Sequence, residues 1–181
     1  MQSTLKTPFF ILLVLCGCSS RQLAPAEPRE LILLPPADIA VEVLLKQKIS
    51  FVAGEQQQQF LVVARILRKR LKLVLLLPAG QTLLTLDYDG ANLVQDNRST
   101  VDLPGREILA SMQFALWPED SLRRHYSSDS GWQVNLEQGQ RRLLTPSGTV
   151  LKIAASTEKL VVDNHLHDYR VIIQTLEKSE L

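Results

Sequence analysis

The chain has 181 residues, with 20 lysines and arginines against 19 aspartates and glutamates, and 45% of its residues are hydrophobic. This composition is that of one ordinary globular domain. The near-zero net charge disfavours a dedicated nucleic-acid-binding protein, because such proteins cluster positive charge over one face. Collagen-like, low-complexity and polytopic membrane chains are excluded by the same numbers.

The N-terminus has the features of a secretory signal. Residues 1–6 carry one positive charge, and residues 9–15 form an apolar run of seven. Seven residues are too few to cross a bilayer as a helix, which needs about 20. The segment therefore predicts a signal peptide and no membrane-spanning anchor.

The sequence Leu15-Cys16-Gly17-Cys18 resembles the lipobox of bacterial lipoproteins. The resemblance implies that residues 1–17 are a lipoprotein signal peptide and that Cys18, carrying acyl chains such as palmitate, attaches the mature protein to membrane lipid. By the same resemblance, Ser19 in place of aspartate implies an outer-membrane location, lipid-anchored on the periplasmic face. An ordinary secretory signal with an incidental cysteine pair is the alternative.

Both cysteines of the chain lie in this segment, so the mature domain would hold neither a thiol nor a disulfide. Residues 18–30 contain Pro25 and Pro28 and lack apolar periodicity, which predicts a lipidated N-terminus and tether. We expect the folded domain to span residues 31–181. Its first segment, Leu31 to Leu34, stops at a double proline, which predicts a first strand or a lid.

The first half of this domain predicts an antiparallel meander. Its proline-glycine turn is Pro78-Ala79-Gly80, and the next hairpin turn is Asp89-Gly90. Basic residues surround an earlier hairpin tip, where they would meet anionic lipid headgroups or simply be solvated; they are Arg65, Arg68, Lys69, Arg70 and Lys72. The predicted strands are 48–53, 57–67, 71–77, 81–87 and 92–95.

A helix pair and five more strands follow. Apolar residues recur every three or four positions from Ile108 to Leu116, which predicts a helix ending at Trp117-Pro118. Pro118-Glu119-Asp120 is typical of a new first turn, and 122–126 would complete a second helix. The later strands are predicted at 132–137, 140–145, 149–155, 160–163 and 169–175.

The predicted fold class is α+β: a curved antiparallel sheet that forms an open half-barrel, with the helix pair inserted mid-chain and covering the concave face. Such a sheet leaves an apolar concavity that suits a hydrophobic ligand, although an apolar stripe of this kind also forms closed core. The candidate cavity residues are Phe60, Leu75, Leu84, Leu86, Met112, Leu116, Trp117 and Trp132.

The sequence offers little for catalysis or metal binding. Asp163, His165, His167 and Asp168 could start a metal site, but they also suit a polar turn between two strands. There is no Gly-x-Ser-x-Gly elbow and no phosphate-cradling glycine loop. We therefore expect no enzyme activity, no catalytic residues, no metal, no cofactor and no nucleic-acid partner.

Residues 70–86 and 116–123 resemble the core of the LolB family, outer-membrane lipoproteins that receive other lipoproteins. The whole chain is similar to LolB-like proteobacterial lipoproteins, some encoded beside aryl polyene biosynthesis genes. In that family a leucine protrudes from the proline-glycine turn, where this chain has Ala79 and a nearby Leu77. The turn is thus the candidate membrane-contact loop: Leu77, Pro78, Ala79 and Gly80.

The resemblance implies a non-enzymatic half-barrel that binds acyl chains or another hydrophobic ligand and helps deliver lipidated or polyene-type cargo to the outer membrane. Its partners would be membrane lipid, the hydrophobic cargo and a periplasmic carrier protein. The alternative is an envelope assembly or scaffold lipoprotein with a filled core, acting through a protein partner.

Overall fold

The computed structural model describes residues 30–181. The predicted signal peptide, the predicted lipidation site Cys18 and the predicted tether up to residue 29 lie outside these residues. Within the described part, no helix is both long and apolar enough to cross a membrane.

Ten strands and two α-helices make up the domain in residues 30–181. Five strands precede the helix pair and five follow it. In chain order the elements are β1 Val43–Ala53, β2 Gln56–Leu67, β3 Arg70–Leu76, β4 Thr82–Tyr88, β5 Leu93–Asn97, α1 Gly105–Leu116, α2 Glu119–His125, β6 Gln133–Glu137, β7 Gln140–Thr145, β8 Gly148–Ala155, β9 Leu160–Asn164 and β10 Tyr169–Glu180.

The strands form one antiparallel sheet in the order β5-β4-β3-β2-β1-β10-β9-β8-β7-β6. Each half is a simple meander, and the two meanders join where β1 pairs with β10. The edge strands β5 and β6 are consecutive in the chain, so the helix pair connects the two edges of the sheet.

Contacts of α1 show that the sheet curves around it. At its start, Gly105 lies against Leu86 of β4 in one half of the sheet. At its end, the carbonyl oxygens of Phe114 and Trp117 accept hydrogen bonds from Arg141 of β7 in the other half, at 3.0 and 2.6 Å. One 12-residue helix thus touches both halves. This confirms the predicted fold class, a half-barrel with the helix pair on its concave face.

The apolar core lies between the concave face and the helices. Alternate residues of the inner strands contribute to it, as the two-residue period of a strand requires. Aromatic rings from the helical region close one side: Tyr126 packs edge-to-face on Phe114 and on Trp132, with ring centroids 5.6 and 5.5 Å apart. The largest fully buried side chains are Trp117, Phe114, Leu34, Ile66, Leu71, Leu73, Leu84, Leu86, Leu109, Leu122, Leu143 and Leu151.

Residues 31–38, called the strap below, run over this core before β1. Residues 31–35 are extended but join no strand, and Pro36–Asp38 forms one short 3-10 turn. Leu31 and Leu34 are buried. Of the two predicted alternatives, a first strand is therefore wrong and a lid segment is the better description.

Strand boundaries differ from prediction mainly in the central pair. β1 begins at Val43, five residues before the predicted start, and β10 ends at Glu180, five residues after the predicted end. Both extensions contain polar residues, so the alternation of apolar residues that was used to predict strands does not continue through them. They are strands because they pair with each other, and Lys46 and Glu177 form an ion pair at 2.7 Å across them.

Gly105 gives a test of the packing where α1 begins. A Cβ at this position would lie 2.6 Å from Cδ2 of Leu86, which is fully buried, and 2.2 Å from Oε1 of Gln95. Alanine usually stabilises a helix relative to glycine by up to about 1 kcal/mol. Here the crowding outweighs that gain, because the fully buried Leu86 must shift. We expect Gly105→Ala to lower the free energy of unfolding by about 1–2 kcal/mol in urea denaturation; an increase would contradict this packing.

Candidate functional site

The eight predicted cavity residues share one apolar core, but most of them are closed in. Leu84, Leu86 and Trp117 are fully buried, and Leu75 and Trp132 are 6% and 4% exposed. The other three, Phe60, Met112 and Leu116, are half-buried and pack against the buried core. Contact of these eight residues with a ligand stays a prediction.

The strap occupies part of the space under the helix pair, and Gln113 of α1 holds its centre. The side chain of Gln113 is fully buried. Its Oε1 accepts a hydrogen bond from the Leu34 N–H at 2.8 Å, and its Nε2 donates to the Leu34 carbonyl oxygen at 2.7 Å. The amide thus pairs with both main-chain groups of Leu34, as a neighbouring strand would.

Two aromatic side chains hold the strap on either side of Leu34. The Tyr126 hydroxyl accepts a hydrogen bond from the Ile32 N–H at 3.1 Å and donates to the Ile32 carbonyl oxygen at 3.0 Å. The Trp117 indole N–H donates to the Pro35 carbonyl oxygen at 2.9 Å. Burial raises the pKa of Tyr126, so its hydroxyl keeps the proton that it donates. Gln113, Trp117 and Tyr126 are called the clamp below.

Asp38, at the end of the strap, is bound by α2. Its Oδ2 accepts a hydrogen bond from the Ser121 hydroxyl at 2.7 Å and lies 3.0 Å from Nε2 of His125. Burial opposes ionisation of this carboxyl, but the hydrogen bonds from Ser121 and His125 and the charge of Arg124 outweigh it and lower its pKa. The strap is therefore fixed at both its apolar and its charged end.

The lowered pKa of Asp38 predicts an acid-sensitive attachment. A carboxyl whose pKa is lower in the folded than in the unfolded protein adds stability that is complete above its unfolded value, about 3.9, and lost as the pH falls through the folded value. We expect Asp38→Asn to be less stable than the wild type at pH 7 and to approach it as the pH falls below about 4. Urea denaturation at a series of pH values measures the difference in stability between the two proteins. A difference that does not change with pH would contradict the lowered pKa of Asp38.

The middle of the concave face is less completely covered. By cross-strand register, Phe60 of β2 faces Ile49 of β1, Ile49 faces Ile173 of β10, and Ile173 faces Leu160 of β9. All four side chains are half-buried, and they lie on the same face as the buried Val43, Leu45 and Val162. These four residues, called the open row below, form an apolar stripe across four neighbouring strands. The cavity prediction included only Phe60 from this stripe.

The candidate membrane-contact loop adjoins one end of the open row. Leu71, Leu73 and Leu75 of β3 are buried on the concave face, and Leu77 is the first residue of the turn that follows β3. It lies next to Phe60, because β2 pairs Leu61 with Leu76. Leu77 is half-buried, whereas Pro78, Ala79 and Gly80 are exposed. Contact of this loop with a membrane stays a prediction.

A polar network ties α1 to the turn between β9 and β10. Glu107 Oε1 accepts hydrogen bonds from Asn164 and from the Tyr169 hydroxyl, both at 2.7 Å, and its Oε2 lies 3.0 Å from His167 Nε2. Burial and the Glu107 carboxylate raise the pKa of Tyr169. Residues 165–168 form the turn, as the polar-turn alternative predicts, and no group of three or more potential metal-ligating side chains occurs in residues 30–181.

The basic residues near the tip of the β2–β3 hairpin are partly neutralised. Arg70 and Lys72 both form ion pairs with Asp87 of β4, at 2.5 and 3.3 Å. The tip itself, between β2 and β3, is at the opposite end of these strands from the Pro78 turn. A membrane approached along the strand axis therefore meets either the basic tip or the Pro78 turn.

Two cavities stand out in the described part of the chain, and both lie away from the open row. One, of about 400 Å³, is at the start of α1, between Leu31, Leu103, Glu107 and His167. The other, of about 290 Å³, lies beside Tyr126 and Trp132. Trp132 is the single predicted cavity residue that lines either of these two.

Sequence reasoning missed the clamp. Glutamine inside the apolar stripe of α1 was a signal, because a buried amide needs partners. Its partners are in Leu34, 79 residues earlier, and no local pattern identifies them. Arg141, which donates to the last carbonyls of α1, was missed for the same reason.

Comparison with known proteins gives a family and a distant structural similarity. No curated protein matches the chain. Among solved structures, the chain is similar to one described as an outer membrane lipoprotein-sorting protein domain from Vibrio parahaemolyticus. The two are 6% identical with a TM-score of 0.43, over 77% of this chain and 85% of the other. Residues 44–177 match the model of the family described as "Protein of unknown function (DUF3261)", and the chain therefore belongs to that family.

Proposed function

We propose that this protein is a LolB-like lipoprotein of the outer membrane, anchored through acylated Cys18, that binds acyl chains or another hydrophobic ligand on the concave face of its half-barrel. Its role is to help deliver lipidated or polyene-type cargo to that membrane. It performs no covalent chemistry in this role and needs no cofactor. A periplasmic carrier protein is the proposed donor of the cargo.

The observation that carries this proposal is the open row. Core side chains of a folded domain are normally closed on all sides, as Leu84 and Leu86 are here. Phe60, Ile49, Ile173 and Leu160 instead stay half-buried in the middle of a ten-stranded sheet. An acyl chain lying along them would remove apolar surface from water, which contributes about 25 cal/mol per Å².

The position of the row also suits transfer. Phe60, at one end of the row, adjoins the β2–β3 pair of Leu61 and Leu76, and the exposed Pro78 turn follows that pair. A ligand that leaves along the row reaches that turn without crossing the closed core. The affinity of the protein for the acyl chain must stay moderate, because the membrane has to compete successfully for the same chain.

Binding of a fluorescent fatty acid tests the proposal, and β10 supplies a matched pair of variants. Cis-parinaric acid, a polyene fatty acid, fluoresces strongly in apolar sites. We expect Ile173→Ser to weaken its binding by about 3- to 30-fold, because part of a buried isoleucine contact is lost. Leu176→Ser replaces a side chain of the same strand that is 58% exposed, and it should bind as the wild type does. Equal affinity of the wild type and both variants for cis-parinaric acid would contradict the proposal that the open row binds the ligand.

A second function is favoured by the closed packing of the core. Five of the eight predicted cavity residues are buried, which is what an assembly or scaffold lipoprotein with a filled core requires. Such a protein would bind no fatty acid and would act through an envelope protein partner. Failure of the wild type to bind cis-parinaric acid, together with the recovery of one stoichiometric partner from cross-linked envelopes, would favour this function.

A further inference from the structure

The strap is attached in a way that differs from every strand of the sheet. A strand is held by a ladder of main-chain hydrogen bonds to its neighbour. Residues 31–35 of the strap join no strand, and three side chains of the helical region hold their main chain. The strap can therefore leave without breaking any strand pairing, and the ten-stranded sheet would remain intact.

The clamp is a binding site for an extended main chain. Gln113 pairs with both main-chain groups of Leu34, and Tyr126 does the same two residues earlier at Ile32. Alternate residues of an extended segment are thus recognised through their N–H and C=O groups, independently of their side chains. The prolines that follow contribute no main-chain N–H that would need a partner.

The side chains of the strap belong to the same apolar core against which the four residues of the open row pack. Leu34 is fully buried and Leu31 is 5% exposed, both inside the core between helices and sheet. The strap is joined to β1 by a short bend at Ala40 and Val41, which are both exposed. The opposite end of the strap continues toward the predicted tether and Cys18.

We propose that the strap is a displaceable plug: an acyl chain that enters along the open row takes the place of the strap side chains, and the strap is released from the clamp. This rests on the proposed function, because it needs an acyl ligand on the concave face. It adds that the strap and the ligand exclude each other.

Hydrogen exchange of residues 19–181, which include every core residue of the described part, tests the plug with oleate as the probe. Without oleate, the Ile32 and Leu34 amides are protected by the clamp. We expect saturating oleate to raise exchange in peptides covering 31–38 at least tenfold, while peptides from β1 stay protected. Unchanged or slower exchange in the strap with oleate bound would overturn the plug.

Two tyrosine variants provide the second measurement. Tyr126→Phe keeps the ring between Phe114 and Trp132 and removes only the hydroxyl that holds the strap. We expect it to bind oleate about three- to tenfold more tightly than the wild type, the effect of one lost hydrogen-bonding group. Tyr169→Phe is the control, since its hydroxyl bonds to Glu107 and Asn164 instead of the strap, and its affinity should be unchanged.

The outcomes separate the two proposals. If Tyr126→Phe binds oleate and the wild type does not, the strap excludes the ligand and both proposals stand. If both bind with equal affinity and strap exchange is unchanged, the plug is overturned while the proposed function stands. If neither binds oleate, the proposed function fails and the plug fails with it.

Discussion

Replacement of Trp117 by alanine is expected to lower the free energy of unfolding by about 3–5 kcal/mol, the range for deleting a fully buried large aromatic side chain. Trp117 is 0% exposed, and its indole N–H donates to the Pro35 carbonyl oxygen. The substitution therefore opens a cavity at the end of α1 and also leaves a strap carbonyl without its donor. Since a domain of this size is stable by about 5–15 kcal/mol, the loss is a large share of the total.

Urea denaturation followed by circular dichroism measures this change, and Val94→Ala is the control. Val94 is 65% exposed on the edge strand β5, so its truncation should change the free energy of unfolding by less than about 0.5 kcal/mol. If Trp117→Ala cost no more than this control, the indole would not be packed as described, and the helix pair would not close the concave face.

Gln113→Leu is expected to cost about 2–5 kcal/mol, although leucine is apolar and of similar size. The amide of Gln113 is the partner of both the N–H and the C=O of Leu34, and all of these groups are buried. Leucine leaves both main-chain groups unpaired, and each unpaired buried group costs about 1–3 kcal/mol. The loss should also appear locally, as faster hydrogen exchange at the Leu34 amide.

Gln174→Leu is the matched control, because Gln174 is an exposed residue of β10. Its replacement should leave both the stability and the exchange of Leu34 nearly unchanged. A Gln113→Leu protein as stable as the wild type would show that the strap is not held by this amide, and the account of the clamp would be wrong.

The strands and helices could be predicted because the spacing of apolar residues within each short segment identifies the element. Alternation along β3, with Leu71, Leu73 and Leu75 facing one side, identifies a half-buried strand. The spacing of Ile108, Leu109 and Met112 likewise identifies α1. Proline and glycine at the turns then fix the order of a meander, and the change of period in mid-chain predicts that the helices lie between its two halves.

The features that could not be predicted from the sequence depend on contacts between residues that are distant in the chain. Gln47 interrupts the apolar pattern near the start of β1, yet it is buried, and its Nε2 donates to Thr175 of β10, 128 residues away. The strap shows the same limit, because its apolar residues and double proline indicate extended chain without showing whether it joins a sheet edge or crosses the concave face. The candidate site is affected most, since a half-buried Ile173 and a closed Leu86 look alike in sequence.

Native mass spectrometry of residues 19–181, exported to the periplasm and purified without detergent, tests the central claim most directly. The account predicts a stoichiometric adduct whose mass, after solvent extraction, identifies an acyl or polyene lipid, or uptake of one oleate by the empty protein. An empty protein that takes up no oleate, even with Tyr126 replaced by phenylalanine, would contradict the claim that this half-barrel carries a hydrophobic ligand.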